Sequence, residues 1–257
     1  MVMAIRASEL LRVAKAAAEQ AGKLIASRVT HNNVVNAMYA HDVKLAVDVE
    51  SQDLISGVLL EAFPDHGIVG EEGTAGNAGS PYQWIVDPID GTVNFFYGIP
   101  HFCVSIALQY NQTTIIGVIY DPMVDELWTV SDPGDPQRNG KVVTVSGRRQ
   151  LREALVSVGF AKRPEALEQS IERYRTLAPA VRKIRMLGSA ALEMAYVASG
   201  RLDAYIEEQV SIWDIAAGCL LVERAGGKVA LTPHADRPDR FSIVCSNGLL
   251  PIEALLR

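Results

Sequence analysis

Hydrophobic positions recur every three or four residues in the first part of the chain, which is the spacing of an amphipathic helix. One such pattern follows Ser8, a residue that can cap a helix, and continues to Ile25. A second runs from about Asp48 to Phe63 and ends just before a proline. The pattern therefore predicts two N-terminal helices, separated by a polar stretch at 31–33.

Beyond these helices the apolar residues come in short runs, rich in β-branched and aromatic side chains and separated by Gly, Pro and Asn. This texture is typical of strands. Asn111 and Gln112 separate two such runs and predict an antiparallel hairpin. The strands predicted here are Gly67–Gly70, Gln83–Val86, Phe102–Tyr110, Thr113–Asp121 and Glu126–Val130.

Strand and helix patterns alternate after a loop rich in Pro, Gly and Asp at 131–140, and such alternation is typical of an α/β fold. We therefore interpret the chain as an α/β protein, with an N-terminal α+β subdomain at 1–135 and a C-terminal α/β subdomain at 136–257 that form one unit. The later strands are predicted at 155–160, 182–186, 202–207, 228–231 and 242–245, and the later helices at 165–178, 189–199 and 212–225.

Charge and cysteine content limit the kinds of partner and the cellular compartment that we expect. The formal net charge of the 257 residues is -6, and Lys and Arg are scattered along the chain, which argues against a nucleic-acid partner. The three cysteines are widely spaced and odd in number, which favours a reducing cytoplasm over a disulfide framework. Charged residues interrupt the first apolar segment, so we expect no signal peptide, membrane span or membrane partner.

The most informative segment is Trp-Ile-Val-Asp-Pro-Ile-Asp-Gly-Thr at 84–92. An apolar run typical of a buried strand ends in the carboxylates of Asp87 and Asp90, and Gly91 and Thr92 follow where a helix could begin. Carboxylates suit a hard divalent cation, whereas the N–H groups of a helix start suit a phosphate. The hypothesis is metal-assisted phosphate chemistry, and the alternative is a simple tight turn, which uses the same residue types.

Further acidic residues lie at the ends of predicted elements. Glu71 and Glu72 follow an apolar run, Asp214 lies in the first turn of a predicted helix, and Asp48 opens the second helix. Each could be a solvated surface acid or a partner of a helix dipole. Together they favour a common site, because carboxylates set so close to a core normally have partners.

Three segments closely resemble the signatures of the inositol monophosphatase family. The resemblance covers about residues 8 to 250, and it implies a layered αβαβα sandwich of the type shared with fructose-bisphosphatases. It also implies a Mg²⁺-dependent phosphatase, with Mn²⁺ as a possible substitute, sensitivity to lithium and a homodimer. The segments are Gly70-Glu71-Glu72, the stretch from Trp84 to Phe95, and Trp213 to Gly218 with Glu223 to Gly227.

The resemblance implies a set of metal ligands. Glu71, Asp87 and the main-chain carbonyl of Ile89 would hold one Mg²⁺. Asp87, Asp90 and Asp214 would hold a second, with Asp87 bridging the two ions. A third and weaker ion near Glu71 is also implied.

The resemblance assigns the attacking water to a second group of residues. Asp48 and Thr92, together with Glu71, would orient and polarise this water. The amides of Gly91 and Thr92 would receive the phosphate. This arrangement needs no covalent intermediate with the enzyme.

Substrate residues are implied by the segment Arg185 to Ala191. The family's second helix start lies there, and Gly188, Ser189 and Ala190 would line a polyol pocket together with Asp90. Glu207 would accept hydrogen bonds from inositol hydroxyls. The alternative for Glu207 is an ordinary surface acid at a strand end, and the adjacent Glu208 leaves the register open.

One loop departs from the family pattern. Family members carry a Val-Thr pair and a lysine ahead of the Asp48 position, whereas this chain has His-Asp-Val-Lys-Leu-Ala-Val at 41–47. Lys44 could supply positive charge from a shifted position or point to solvent. The strength of the third ion site and the lithium sensitivity therefore stay open here.

Inositol monophosphate is the first substrate expected. Fructose 1,6-bisphosphate, histidinol phosphate and 3′-phosphoadenosine 5′-phosphate are alternatives, because the metal core is generic and specificity lies in the surrounding loops. A two-carboxylate glycosidase is disfavoured because it needs neither a metal cluster nor a phosphate-binding helix start. A partner-binding protein with little catalysis is a further alternative.

Overall fold

The computed structural model describes residues 2–29, 35–38, 43–160, 164–235 and 237–256. The predicted polar stretch at 31–33 lies outside these described residues, as do His41 and Asp42 of the atypical loop. The side chain of Lys44 lies outside them too, so its role stays a prediction.

Helices and strands are distributed along the whole described chain. The helices are α1 Val2–Ser27, α2 Ala46–Ala62, α3 Thr92–Phe96, α4 Pro164–Leu177, α5 Ala190–Ala198, α6 Ile212–Arg224 and α7 Ile252–Leu255. The first strands are β1 Val35–Met38, β2 Val43–Leu45, β3 Gly67–Gly70, β4 Gly73–Gly76, β5 Tyr82–Asp90, β6 Cys103–Tyr110, β7 Thr113–Asp121 and β8 Glu126–Ser131. The remaining strands are β9 Gln137–Arg138, β10 Lys141–Val142, β11 Leu155–Val158, β12 Lys183–Arg185, β13 Ala204–Ser211, β14 Lys228–His234 and β15 Arg237–Ser246.

Two large sheets organise these strands. The first has eight strands in the order β10-β9-β8-β7-β6-β5-β3-β4, and the second has five in the order β12-β11-β13-β15-β14. In the first sheet only β3 and β5 pair in parallel. In the second, β11 pairs in parallel with β12 and with β13. A separate antiparallel pair joins β1 to β2.

The elements stack as five layers. Helices α1 and α2 pack on one face of the eight-stranded sheet, while α5 and α6 lie between the two sheets and contact both. Helix α4 contacts β13 of the five-stranded sheet. Separate hydrophobic clusters fill the interfaces between these layers. The expected αβαβα sandwich is confirmed.

A glycine lets the central helix layer approach the first sheet closely. A Cβ at Gly117 of β7 would lie 2.9 Å from the main-chain oxygen of Ala217 in α6. The hydroxyl of Ser105 in β6 also donates a hydrogen bond to the carbonyl of Trp213, at 3.4 Å. These contacts hold the first turn of α6, and with it Asp214, against the middle of the eight-stranded sheet.

The departures from the predicted elements lie at both starts and ends: β5 continues past Val86 to Asp90, and β13 continues to Ser211. Helix α1 begins at Val2, so Ser8 lies inside the helix and does not cap it. The residues before Ser8 include good helix formers and no breaker, so the helix can extend toward the N-terminus. The predicted hairpin is confirmed, and Asn111 and Gln112 both have positive φ, at 47° and 66°. Within the described ranges, no helix combines the length and apolarity needed to cross a bilayer.

Candidate active site

The parallel pairing of β3 and β5 brings two predicted carboxylates together. Gly70 is in register with Val86, and the amide of Glu71 donates to the carbonyl of Val86 at 3.1 Å. Because parallel strands end at the same edge, Glu71 and Asp87 emerge side by side. Burial raises the pKa of Asp87 well above its ordinary value, and repulsion from Glu71 adds to this effect.

A bulge in β5 places Asp87 and Asp90 together. In a regular strand, residues three apart point to opposite faces. Here Asp87 pairs with Ser105 and Asp90 with Cys103, and the register shifts between them, so one extra residue is accommodated and the alternation is reset. Both carboxylates therefore lie inside β5. The sequence pattern suggested instead that they lie beyond the end of this strand. Asp90 is among the groups whose repulsion raises the pKa of Asp87.

Asp48 and Asp214 occupy equivalent positions in two helices. Each is the third residue of its helix and accepts a hydrogen bond from an N–H three residues earlier: Leu45 to Asp48 at 2.8 Å and Ser211 to Asp214 at 2.7 Å. One oxygen of each carboxylate is thus fixed by its own helix start. Burial, as the main cause, raises the pKa of each to about 7.

Thr92 connects Asp48 to the end of β5. Its hydroxyl lies 2.8 Å from the carbonyl of Ile89 and 3.4 Å from Oδ1 of Asp48. Gly91 precedes the short helix α3 with φ of 95°, and a Cβ there would lie 3.0 Å from the carbonyl oxygen of His101. This position therefore needs glycine.

Asp90 joins β5 to the start of α5. Its carboxylate accepts hydrogen bonds from the Ser189 hydroxyl at 2.6 Å, the Ala191 amide at 2.7 Å and the Ala190 amide at 3.3 Å. Ser189 and Ala190 are buried by this contact, and of the three predicted pocket residues only Gly188 is exposed. Asp90 thus links the eight-stranded sheet to the start of a helix in the central layer.

Two residues that sequence reasoning did not assign hold the loop before α5. The Asn94 amide donates to the carbonyl of Leu187 at 2.8 Å, and Oε1 of Glu193 accepts from the amides of Leu187 at 2.9 Å and Gly188 at 3.2 Å. Burial, and then repulsion from Glu207, raises the pKa of Glu193 to about 8. The sequence does carry a signal for Glu193. It is an acid within the otherwise apolar helix of 190–198, and a buried carboxylate needs partners.

The structure separates the two adjacent glutamates. Glu207 accepts a hydrogen bond from the Tyr205 hydroxyl at 2.6 Å and fills the space beside Gly159, where a Cβ would overlap its carboxylate. It is also among the groups that raise the pKa of Asp214. Glu208 is instead buried in an ion pair with Arg173 of α4. Glu207 is therefore the glutamate on the side of the acidic site.

The donor set fits a hard divalent cation. It consists of carboxylate and carbonyl oxygens, the ligands that Mg²⁺ prefers, and a cation's charge would offset the repulsion around Asp87. Within the described ranges, however, no group of three His, Cys, Asp or Glu side chains lies close enough together to hold a metal ion. The carboxylates are thus close enough to repel one another without forming a coordination sphere, and Asp90 is turned toward α5.

Comparison with known proteins identifies the family of the whole chain. The inositol monophosphatase family model matches residues 6–249. The chain is 40% identical over 229 residues to Nus factor SuhB of Pseudomonas aeruginosa, covering 86% of this chain and 84% of that protein. It is 37% identical over 255 residues to inositol-1-monophosphatase of Mesorhizobium japonicum, covering 97% and 96%.

Solved structures show the same fold. The extragenic suppressor protein SuhB of Bartonella henselae superposes with a TM-score of 0.89 at 34% identity, covering 97% of both chains. Inositol monophosphatase from Anabaena gives 0.81 at 33% identity, covering 97% of this chain and 94% of that one.

Proposed function

The chain belongs to the inositol monophosphatase family, and from this membership we propose that it is a Mg²⁺-dependent phosphomonoesterase acting on a small polyol or sugar phosphate. Inositol monophosphate is the first candidate substrate. The observation that carries the proposal is the repulsion of the buried Asp87 carboxylate by the carboxylates of Glu71, Asp90 and Asp214 around it. Such an arrangement is costly unless a cation binds there.

The ligands proposed for two Mg²⁺ ions are Glu71, Asp87, the Ile89 carbonyl, Asp90 and Asp214, with Mn²⁺ as a possible substitute. When bound, the ions would lower the pKa of a coordinated water and offset charge on the phosphoryl oxygens. For Asp90 to contribute, it must share its carboxylate between this role and the amides of α5.

Asp48 and Thr92 are proposed to orient the attacking water. The Thr92 hydroxyl lies between the Ile89 carbonyl and Asp48, which fixes the direction of its lone pairs. Asp48 is buried, and its raised pKa of about 7 suits a group that accepts a proton near neutral pH. The amides of Gly91 and Thr92 would receive the phosphate as main-chain donors.

A substrate panel tests this function. Purified protein should release phosphate from inositol monophosphate faster than from fructose 1,6-bisphosphate, histidinol phosphate or 3′-phosphoadenosine 5′-phosphate. Release should require added Mg²⁺ or Mn²⁺ and stop in excess chelator, because the acidic site repels a phosphate ester when no cation is bound. Hydrolysis that continues unchanged in chelator would contradict the metal-dependent mechanism.

Glu207→Gln tests the substrate side. An inositol hydroxyl donates a hydrogen bond more strongly to a carboxylate than to an amide, so kcat/KM for inositol monophosphate should fall about 10-fold. For p-nitrophenyl phosphate, which has no polyol, kcat/KM should stay within about two-fold. Steady-state kinetics on both substrates measures the split.

Glu208→Gln is the matched control for this prediction. It removes a carboxylate from the next residue, where the partner is Arg173, so it should lower thermal stability and leave the ratio of the two kcat/KM values unchanged. An equal loss on both substrates in Glu207→Gln would contradict the specificity role.

A partner-binding role is the second candidate, and the relative named Nus factor SuhB, at 40% identity, favours it. For either function we propose a location in the cytoplasm and a homodimer. Light scattering in solution can test the homodimer. If the protein bound Mg²⁺ but turned over no member of the panel, the partner-binding role would replace the phosphatase.

A further inference from the structure

A cavity of about 630 Å³ is lined by five cationic side chains. They come from three separate segments, at Arg148, at 182–185 and at Arg201. None of the acidic residues of the candidate active site lines this cavity. These cations are scattered along the sequence and meet only in the folded chain.

Positive charge exceeds negative charge around this basic cavity. Arg148 pairs with the buried Asp203 at 2.9 Å, and Arg201 pairs with Glu126. Glu153 is the acid among the lining residues. The five cations and these three acids together leave an excess of two positive charges. That excess is notable in a chain whose net charge is -6.

The excess lies on the edge strand β12 and the residue before it. Arg182, Lys183 and Arg185 are exposed, and none forms an ion pair with any acid in the part of the chain that the structure describes. Lys183 and Arg185 are two apart in a strand, so their side chains leave the same face. An anion approaching this face would meet both, and it would also meet Arg182, which lines the same cavity.

The main chain around the cavity is held firmly. Lys183 is in register with Leu155 of β11, and the amide of Arg182 donates to the carbonyl of Ala154 at 3.0 Å. On another side, the Asn247 side chain donates to the carbonyl of Arg148 at 2.8 Å. The cations therefore project from a preset frame, which lowers the ordering cost of binding.

We propose that this basic cavity binds a small anion that carries two linked phosphoryl groups. Its volume is that of a small-molecule site, which usually spans about 300–1,000 Å³. Two uncompensated cations match two phosphoryl groups better than one, and the arginine forks can bind phosphoryl oxygens in bidentate fashion. The apolar side chain of Leu155 lines the same cavity.

Calorimetric titration with inorganic pyrophosphate tests the site. The full chain is titrated in chelator, so that no divalent cation brings the anion to the acidic active site. We expect saturable binding with one site per chain. Inorganic phosphate should bind about 10-fold more weakly, because it engages fewer of the cations.

The double variant Arg182→Gln/Lys183→Gln should weaken pyrophosphate binding about 10-fold or more. Both side chains are exposed, so its melting temperature should match that of the parent. The matched control Arg12→Gln/Lys23→Gln removes two exposed cations from α1 and should leave the affinity within about two-fold.

Three results would overturn the proposal. The first is an absence of saturable pyrophosphate binding, and the second is an equal loss of affinity in the two double variants. The third is binding of a single-stranded oligonucleotide that depends on Arg182 and Lys183 when pyrophosphate does not bind. That result would assign the surface to nucleic acid.

Discussion

Asp87→Asn should abolish turnover and at the same time make the metal-free protein more stable. Asp87 is a proposed Mg²⁺ ligand, so its loss should lower kcat at least about 1,000-fold. The same carboxylate is buried and repelled by Glu71, Asp90 and Asp214. Asparagine removes this repulsion and keeps the Oδ1 that accepts the Ile89 amide at 3.0 Å. Each 1 kcal/mol so gained should raise the melting temperature by roughly 3 °C.

Thermal unfolding with and without Mg²⁺ measures both effects. Added Mg²⁺ should stabilise the parent protein by linkage, by about 2.7 kcal/mol at 100 times its dissociation constant, and should stabilise Asp87→Asn much less. Asp121→Asn is the control, since Asp121 is also buried but is not among the groups that shift the pKa of Asp87, and its turnover should be nearly normal. A variant that is inactive and also less stable in chelator would contradict the repulsion argument.

The candidate site can be predicted from the sequence where local signals and strand direction coincide. The carboxylates Glu71 and Asp87 each follow an apolar run, and the parallel pairing of β3 with β5 brings them to one edge. Asp48 and Asp214 lie in first helical turns, where an acidic residue is expected for local reasons. The layered fold was expected from the resemblance, and the alternation of strands and helices supports it.

Other features depend on contacts that no local pattern encodes. The bulge between Asp87 and Asp90 depends on pairing with β6, so spacing alone placed both acids beyond a strand that in fact contains them. The choice between Glu207 and Glu208 depends on which helix covers each face of β13. The cations that line the basic cavity are up to about fifty positions apart in the sequence. The distribution of charge along the chain therefore does not predict this cavity.

Glu193→Ala should disorganise the loop that leads into α5, whereas Glu193→Gln should not. Oε1 of Glu193 accepts the amides of both Leu187 and Gly188, and glutamine retains an oxygen there. Alanine leaves two amides without this partner and opens a cavity, which should cost about 2–4 kcal/mol. Displacement of the neighbouring Ser189 from Asp90 should also lower turnover about 100-fold. Denaturant unfolding and steady-state kinetics on the two variants measure these losses.

The dependence of stability on pH separates the charge of Glu193 from its hydrogen bonds. Its pKa is about 8 in the folded protein, against an ordinary value of 4.5. The folded state therefore holds more protons than the unfolded state within this window, so the free energy of unfolding falls as pH rises from 4.5 to 8. The Glu193→Gln variant has no ionisable group at this position. Its free energy of unfolding relative to that of the parent should therefore increase by about 1–3 kcal/mol across that range. The acids of the active site titrate in both proteins and cancel in the difference. If the two proteins lost stability in parallel between pH 5 and 8, Glu193 would be ionised throughout, and the loop would depend on a charged acceptor that glutamine cannot replace.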